Sequence, residues 1–594
     1  MVSKRILSSA AVLGLTALFF ISCSGPKQVR IEILTTNDVH GRWFDESYDG
    51  QGAQKNSLLA VNWYVDSVRT AAGRDHVILI DAGDCLQGDN APYYYNYVDT
   101  AVPHLFPRLM AYMGYDAVCV GNHDIETGHP VYDRVRRELE DAGIPFLGGN
   151  AIDRSSGKPY FTDHVLLERD GVRILLIGYT NANIRAWLDE TLWSGLDFEP
   201  LVGLVQGEVD ALRQELHPDA VIVATHTAVG EGDGTILESE GLDLFQQMRG
   251  VDFLICSHDH RPYVAETDSL CLIDSGSHAR NLGHGTLTLE LDAEGKVISK
   301  KLSAGLIPVK AEKADPAMRE AFRKEFETVK AFSLREVGTL TEELRTRDAY
   351  VGESLYIDFI HLITLLSAKS YGADLSLAAP LTFNGTIEPG VLVYNDLFTI
   401  YPFENQLFVA EMTGKEIKDY LEWDYDQWIQ PSPGAEDPLL RIVESDDPRT
   451  GQRGWSFVGR SYNFDSAGGL NYVVDVTKPA GARVRISGFA DGRPFSLGKT
   501  YRVAMTSYRA NGGGGGLTEG AGIPAEELDG RIVARLPELR ELIYQFLQND
   551  PEGAISPELI ARYKKVLGSW QFVPAAEASD KLKRDLMRLF GGTR

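Results

Sequence analysis

The sequence predicts an α/β protein of two folded regions, and three observations carry that expectation. From Val29 to about Pro308 one pattern repeats: a short β-branched apolar run, a polar loop, then a helix-prone segment, the order of βα units. At 594 residues the chain exceeds what one hydrophobic core supports. Between about Ala311 and Glu336 the composition turns charged, glycine-free and helix-prone, which marks a connection between two bodies.

Taken in order, the chain opens with Lys4 and Arg5, the uncharged run "ILSSAAVLGLTALFFI", then "SCSG". Charge, apolar stretch and small residues in that order predict an export signal over residues 1–22. The pattern is similar to a lipoprotein signal in which cleavage leaves Cys23 lipidated. The run is short for a membrane span, and no later stretch reads as a transmembrane helix. The protein is therefore expected outside the cytoplasm, lipid-anchored to a bacterial cell envelope and facing the periplasm or the outside.

Six runs carry the first region, residues 29–310: "IEILTTNDVHG", "HVILIDAGD", "DAVCVGNHD", "VRILLIGYT", "AVIVATHT" and "VDFLICSHDH". Residues 311–336 are expected as one connecting helix. The second region, residues 337–548, has its own strands, a helical segment around Glu353 to Lys369, and the glycine run from Asn511 to Gly516. Residues 551–594 are expected as a helical extension, with Leu582, Leu586, Leu589 and Phe590 on one face packing against the body.

A formal net charge of −26 argues against nucleic acid or an anionic membrane surface as a partner, because both repel such a chain. A small anionic substrate would need locally concentrated positive charge. Beyond Cys23, the cysteines Cys85, Cys119, Cys256 and Cys271 lack the spacing of a zinc knuckle or redox motif. Cys119 and Cys256 sit in apolar runs and are expected as buried thiols, although an oxidising compartment permits a disulfide.

The runs share the chemistry of their polar ends. Asp38 and His40 close one, Asp84 another, Asn122 and His123 a third, His226 a fourth, and His258 with His260 a fifth. In open α/β architectures strand ends open on the functional crevice, so residues distant in sequence converge there on rigid supports. Imidazole, carboxylate and amide oxygen form a mixed donor set suited to first-row divalent metals. Asp38 and His40, like His258 and His260, stand two apart, so in an extended or looped segment each pair can face one ion. Asp84 lies on the glycine-bounded turn "DAGDCLQG", where both carboxylate oxygens can face a pair of metals.

In this order, "TTNDVHG", "DAGDCLQG", "GNHD", "ATHT" and "CSHDH" resemble the motifs of the calcineurin-like metallophosphoesterases, and specifically of the 5′-nucleotidase family. The resemblance implies a four-layer α/β/β/α metallophosphoesterase domain followed by an α/β 5′-nucleotidase-type C-terminal domain. It implies a metal-dependent phosphoric ester hydrolase whose small-molecule substrate is a nucleotide phosphoester. Two divalent ions, zinc, manganese or similar, would be held: one by Asp38, His40, Asp84 and His260, the other by Asp84, Asn122, His226 and His258. The family often has Gln or Asn where His260 stands, and histidine is a competent ligand. Seven ligands with two carboxylates leave two dications with a net charge near +2, the positive focus an acidic protein needs. The ions would lower the pKa of a water to roughly 7 so that it attacks phosphorus in line. His123 would protonate the leaving alkoxide, with a carboxylate keeping it charged and oriented. The family's partner position falls on Glu126, where Asp is more usual, and Asp124 is the competitor.

The same resemblance aligns Phe464 in "NFDSAGGLNYVVD" and Tyr508 in "TSYRANGGGGG" with two rings that sandwich a nucleobase, and "YPFENQ" with the "PFGN" element. Two positions depart from the pattern. Glu388 in "FNGTIEPG" stands where an arginine reads phosphate, and Gly514 stands at a ribose-binding Asp. Both weaken recognition of a 5′-mononucleotide. A 2′,3′-cyclic-nucleotide phosphodiesterase or a nucleotide-sugar hydrolase on the same scaffold stays open, as does a non-catalytic nucleotide-binding lipoprotein.

Overall fold

The computed structural model describes residues 27–591 except 49, 51, 53, 55, 235, 435 and 447–452. The expected signal, residues 1–22, and Cys23 lie outside the described residues.

Two six-stranded sheets build the first domain. In one, Lys27–Thr36, Val77–Asp81, Ala117–Cys119 and Phe146–Leu147 run parallel, and Asn281–Leu291 with Val297–Pro308 extend it antiparallel. In the other, Val172–Tyr179, Ala220–Thr225, Phe253–Ile255 and Cys271–Ser275 are parallel, edged by His164–Arg169 and Pro262–Glu266. Strands covered on both faces need continuous apolar runs rather than alternation, which is why Val, Ile and Leu dominate here. Ile31, Ile33, Ile78 and Ile80 meet Ile174, Leu176, Ile222 and Phe253 between the sheets. Helices Leu58–Ala72, Leu105–Met113 and His129–Asp141 cover one outer face through Val65, Leu109 and Val135. Helices Leu204–Leu216 and Gly241–Gln247 cover the other through Val205, Val209 and Leu244. The layers are α/β/β/α.

Register positions the site. Thr36 pairs with Asp81, Asp81 with Val118, Thr225 with Tyr179 and Ala224 with Ile255, so the carboxyl ends of each parallel set lie level. Asn37 Nδ2 donates to the Gly276 carbonyl at 2.6 Å and Ser257 Oγ to the Ala82 carbonyl at 3.1 Å, stitching the loops of one sheet to those of the other.

The connection is not one helix. Pro316–Ala321 and Arg323–Ser333 are separate helices, broken at Phe322, whose backbone leaves the helical region at φ −114°. Phe322 and Phe326 pack against the first domain while Phe332 joins the core of the second. Serving two cores bends the segment.

The second domain has a five-stranded sheet in the order Ser466–Gly468, Leu375–Ala378, Thr500–Thr506, Gln406–Thr413, Ile532–Glu538. Alternation along Gln406–Thr413 sends Leu407 and Val409 toward helix Leu355–Ser367 and Phe408 and Ala410 toward helix Gly414–Trp428. Residues 551–594 are not a purely helical extension. Ala554–Ile555 pairs with Glu336–Leu340, and Gly568–Val573 runs parallel to Leu470–Asp475, driven by the alternating inward residues Trp570 and Phe572. The helix Ala575–Phe590 follows and buries Leu582 and Phe590, with Leu586 and Leu589 partly covered beside them. Cys85, Cys119, Cys256 and Cys271 are all buried free thiols. Among the described residues no helix is long and apolar enough to cross a membrane.

The domains meet where Tyr93 inserts against Tyr394 and Phe398, with the Arg540 guanidinium 5.0 Å from its ring centre. Asn90 Nδ2 donates to Asn395 Oδ1 at 2.7 Å, and Arg535 pairs with Asp189 at 2.9 Å.

Candidate metal centre and substrate cleft

All seven residues named as metal ligands come together at the level strand ends. Donor atoms of Asp38, His40 and His260 lie within 4.8 Å of one another, and so do those of Asp84, His226 and His258. In the first cluster His40 Nε2 and His260 Nε2 are 2.9 Å apart, with Asp38 Oδ1 3.5 Å from the latter. In the second, Asp84 Oδ2 lies 3.1 Å from His226 Nε2, and Asn122 Oδ1 stands 3.1 Å from that nitrogen and 2.9 Å from His258 Nδ1. Two ligands about 2.1 Å from one ion at tetrahedral angles are about 3.4 Å apart, so these spacings suit first-row divalent cations. Asp84 is grouped with the second cluster, while its charge also reaches His40 of the first.

The backbone shows how strongly these side chains are aimed. Asp38, His40, Asp84, His258 and His260 have φ of 48°, 47°, 62°, 78° and 61°. Left-handed conformations cost a non-glycine residue about 1–2 kcal/mol, and they persist where the surroundings over-determine them. His226 Nδ1 faces the Ala82 carbonyl at 2.7 Å and His40 Nδ1 the Gln87 carbonyl at 3.3 Å, which leaves both Nε2 lone pairs directed into the clusters. Asp38 and His226 are fully buried, and Asp38 Oδ1 has no hydrogen-bond partner. Burial pushes the Asp38 carboxyl up to about 7 even though His226 pulls it down. A buried carboxylate oxygen without a donor, ringed by imidazole nitrogens, fits a cation. The His260 side chain is 41% exposed, so the centre opens to solvent on that side.

His123 follows Asn122 on the short helix Asn122–Glu126. Its Nδ1 lies 2.5 Å from Glu126 Oε2, so of the two open partners Glu126 makes the contact. Asp124 instead accepts from the backbone N–H groups of Asp84, Cys85, Leu86 and Gly121, bracing the Asp84 loop. Burial alone would lower the proton affinity of His123, but the charges of Asp84 and Glu126 raise its pKa to about 10. Glu404 of the second domain adds to that field. A cationic imidazole beside two donor clusters can deliver a proton to an oxygen held there.

On the substrate side one expectation is corrected. Phe464 is 1% exposed, its ring stacked on Trp428 at 5.5 Å and 10° and met edge-on by Phe457 at 5.1 Å, so no face is available to a base. Helix Gly414–Trp428 supplies the packing partner, which local sequence does not reveal. Tyr462, two residues earlier and not singled out by the sequence pattern, is half-buried, and its hydroxyl accepts from Arg460 Nη1 at 2.7 Å. Tyr508, also half-buried, lies in the field of Tyr462, Arg460 and, from the first domain, Glu238. A half-polar aromatic beside a charged residue is the signal that could have found Tyr462. Trp187, also unanticipated, stacks on His258 at 5.0 Å and walls the second cluster. Glu388 is exposed in the link between the strands Thr386–Ile387 and Gly390–Val393. At Gly514, whose φ is 79°, a Cβ would come within 2.5 Å of Arg509 Nη1 and 2.8 Å of Asn463 Oδ1, so a side chain there would have to displace both.

An α/β/β/α sandwich carrying two nitrogen and oxygen donor clusters on its strand ends defines a dinuclear metallohydrolase. The family model for calcineurin-like phosphoesterases matches residues 31–262, and that for the 5′-nucleotidase C-terminal domain matches residues 336–519. A 2′,3′-cyclic-nucleotide 2′-phosphodiesterase/3′-nucleotidase from Haemophilus influenzae is 23% identical over 97% of this chain and 92% of its own. The trifunctional nucleotide phosphoesterase protein YfkN of Bacillus subtilis is 24% identical over 83% of this chain, which spans 36% of that longer protein. A solved Staphylococcus aureus structure assigned to the 5′-nucleotidases superposes with a TM-score of 0.73 at 20% identity, covering 91% of this chain and 99% of that one. The chain belongs to the two-domain 5′-nucleotidase family of calcineurin-like metallophosphoesterases, enzymes that hydrolyse phosphoric esters with two divalent metal ions.

Proposed function

We propose that this protein is an exported phosphoesterase that hydrolyses nucleotide phosphoesters. The observation that carries the reading is the meeting of both donor clusters with the His123–Glu126 pair on one rim. Asp38, His40, Asp84 and His260 would hold one ion, and Asp84, Asn122, His226 and His258 the other. Bound ions supply positive charge for the phosphate and lower the pKa of a water to about 7. His123 donates its Nε2 proton to the leaving oxygen while Glu126 holds Nδ1 and keeps the ring charged. Tyr462 and Tyr508, rather than Phe464 and Tyr508, flank the base, because stacking needs an uncovered ring face.

A second reading, hydrolysis of 2′,3′-cyclic nucleotides, is favoured by Glu388 and Gly514, which remove a phosphate-reading cation and a sugar acceptor from the 5′-nucleotidase pattern. The printed activity of the Haemophilus influenzae relative points the same way. The test is a panel of adenosine 5′-monophosphate, adenosine 3′-monophosphate, adenosine 2′,3′-cyclic phosphate and a nucleotide sugar with manganese- or zinc-loaded protein. Metal-dependent turnover of one or more is expected; the highest kcat/KM chooses between the readings, and turnover of none removes both. Anchoring rests on the leader pattern, and Cys23→Ser is expected to move the protein from the membrane to the soluble fraction.

A further inference from the structure

We propose that Arg509, paired with Asp465, is a positioning residue that fixes the gap between Tyr462 and Tyr508 and so governs base recognition; this rests on the nucleotide reading above. Arg509 is 4% exposed and follows Tyr508 directly in the short helix Ser507–Ala510. A guanidinium carries five N–H donors, and all five are used. Nε donates to Asp465 Oδ2 at 2.7 Å, and Nη1 donates to Asn463 Oδ1 at 2.9 Å and to the Gly513 carbonyl at 3.2 Å. Nη2 donates to the Tyr462 carbonyl at 2.8 Å and to Asp465 Oδ1 at 3.3 Å. One side chain therefore ties Tyr462, Asn463 and Asp465 to the glycine run that follows Tyr508.

Asp465 is itself held. It accepts from the Tyr420 hydroxyl, and its backbone N–H donates to Asp424 Oδ2 at 2.5 Å. Apolar groups fill such a volume as stably as a buried ion pair does, so the pair's distinctive contribution is direction: a planar fork holds two loops in one register. The glycine run is shaped around the fork. A Cβ at Gly514 would reach within 2.5 Å of Arg509 Nη1 and 2.8 Å of Asn463 Oδ1, and one at Gly513 would collide with the Tyr508 ring. The run is a fitted frame rather than a slack loop.

The test uses full-length, metal-loaded protein and three variants, Arg509→Lys, Arg509→Met and Gly514→Ala. Each is assayed with the nucleotide best turned over by the wild type and with p-nitrophenyl phosphate, and its Tm is recorded. Stacking on an aromatic ring contributes to base affinity, so loosening the gap is expected to lower the ratio of nucleotide to aryl kcat/KM by about tenfold, mainly through nucleotide KM. Arg509→Lys, which keeps the charge but offers three donors in place of five, is expected to show this loss in a protein that still folds, with a lowered Tm. An equal fall on both substrates, or an unchanged ratio in folded Arg509→Lys, overturns the proposal. If Arg509→Met does not fold, Gly514→Ala carries the test, because it keeps the Arg509–Asp465 pair and crowds Nη1 and its Asn463 acceptor instead. Wild-type protein that turns over the aryl ester but no nucleotide overturns the nucleotide reading itself, before any variant is made.

Discussion

The two domains shape their functional backbone by opposite means. Nine non-glycine residues among those described have positive φ, and all lie before residue 311; seven of them, Asp38, His40, Asp84, His258, His260, His278 and Ala279, surround the donor clusters. In the second domain the left-handed positions are glycines, among them Gly512, Gly514 and Gly515. A metal centre needs a donor on the residue that turns, so strain on Asp and His is unavoidable. A base slot needs only a chain that curves around an aromatic ring, and glycine curves without strain. Changes in the first region should therefore remove chemistry, while changes in the second should weaken affinity.

The widest gap between the regions is expected at Asp84. Replacing the carboxylate with the neutral amide in Asp84→Asn should lower kcat/KM for every ester by more than about 100-fold, since even groups behind the ligands change metal affinity by 10–100-fold. Metal analysis should find fewer than two ions per chain. A variant that keeps two ions and wild-type rates would show that Asp84 has no part in the centre. His123→Ala should act next most strongly, slowing a nucleoside phosphate by roughly 10²-fold and p-nitrophenyl phosphate much less, because nitrophenolate leaves without a proton. Equal losses on both esters would remove the proton-donor role.

The contrast also explains what the sequence made legible. Each ligand-bearing loop follows an apolar run, and the run marks its own end, so Asp38, Asp84, Asn122, His226 and His258 could be placed by local pattern alone. The partner of His123 is open between Asp124 and Glu126 in the sequence because both are acids on one helical turn; the direct contact of Glu126 with Nδ1 and the four N–H groups gathered by Asp124 separate them. In the second region the deciding contacts are remote. Trp428 decides that Phe464 is core, and a strand register with Leu470–Asp475 decides that Gly568–Val573 is not helical. Its alternation of Trp570 and Phe572 was visible but short beside the long helical pattern that follows.

Affinity effects should be smaller and should separate two neighbours. Tyr462→Ala is expected to raise nucleotide KM about tenfold with little change in Tm, since it removes a half-buried ring proposed to stack on the base. Phe464→Ala removes a packed core ring and is expected to destabilise by about 3–5 kcal/mol, lowering Tm with little direct effect on KM. The reverse assignment, KM for Phe464 and Tm for Tyr462, would restore Phe464 as the base platform.

The smallest expected effect contrasts the one histidine of the second domain with the twelve that precede residue 311. His361 is buried between Ser376 Oγ at 2.8 Å and Ser466 Oγ at 3.0 Å, with no carboxylate beside it, and burial lowers its pKa to about 3. In the unfolded chain a histidine titrates near 6.5. Below that pH the unfolded state binds a proton the folded state refuses, so stability is lost as pH falls through the window between about 6.5 and 3. At pH 5.5 the loss attributable to His361 should be about 1.4 kcal/mol relative to pH 8, because each pH unit of unequal protonation is worth about 1.36 kcal/mol. His361→Gln cannot titrate, so its unfolding free energy should fall less steeply over that window, as measured by denaturant titrations at each pH. Parallel slopes for the two proteins would mean that His361 does protonate in the folded state, and that the serine pair accommodates a charge the burial argument forbids.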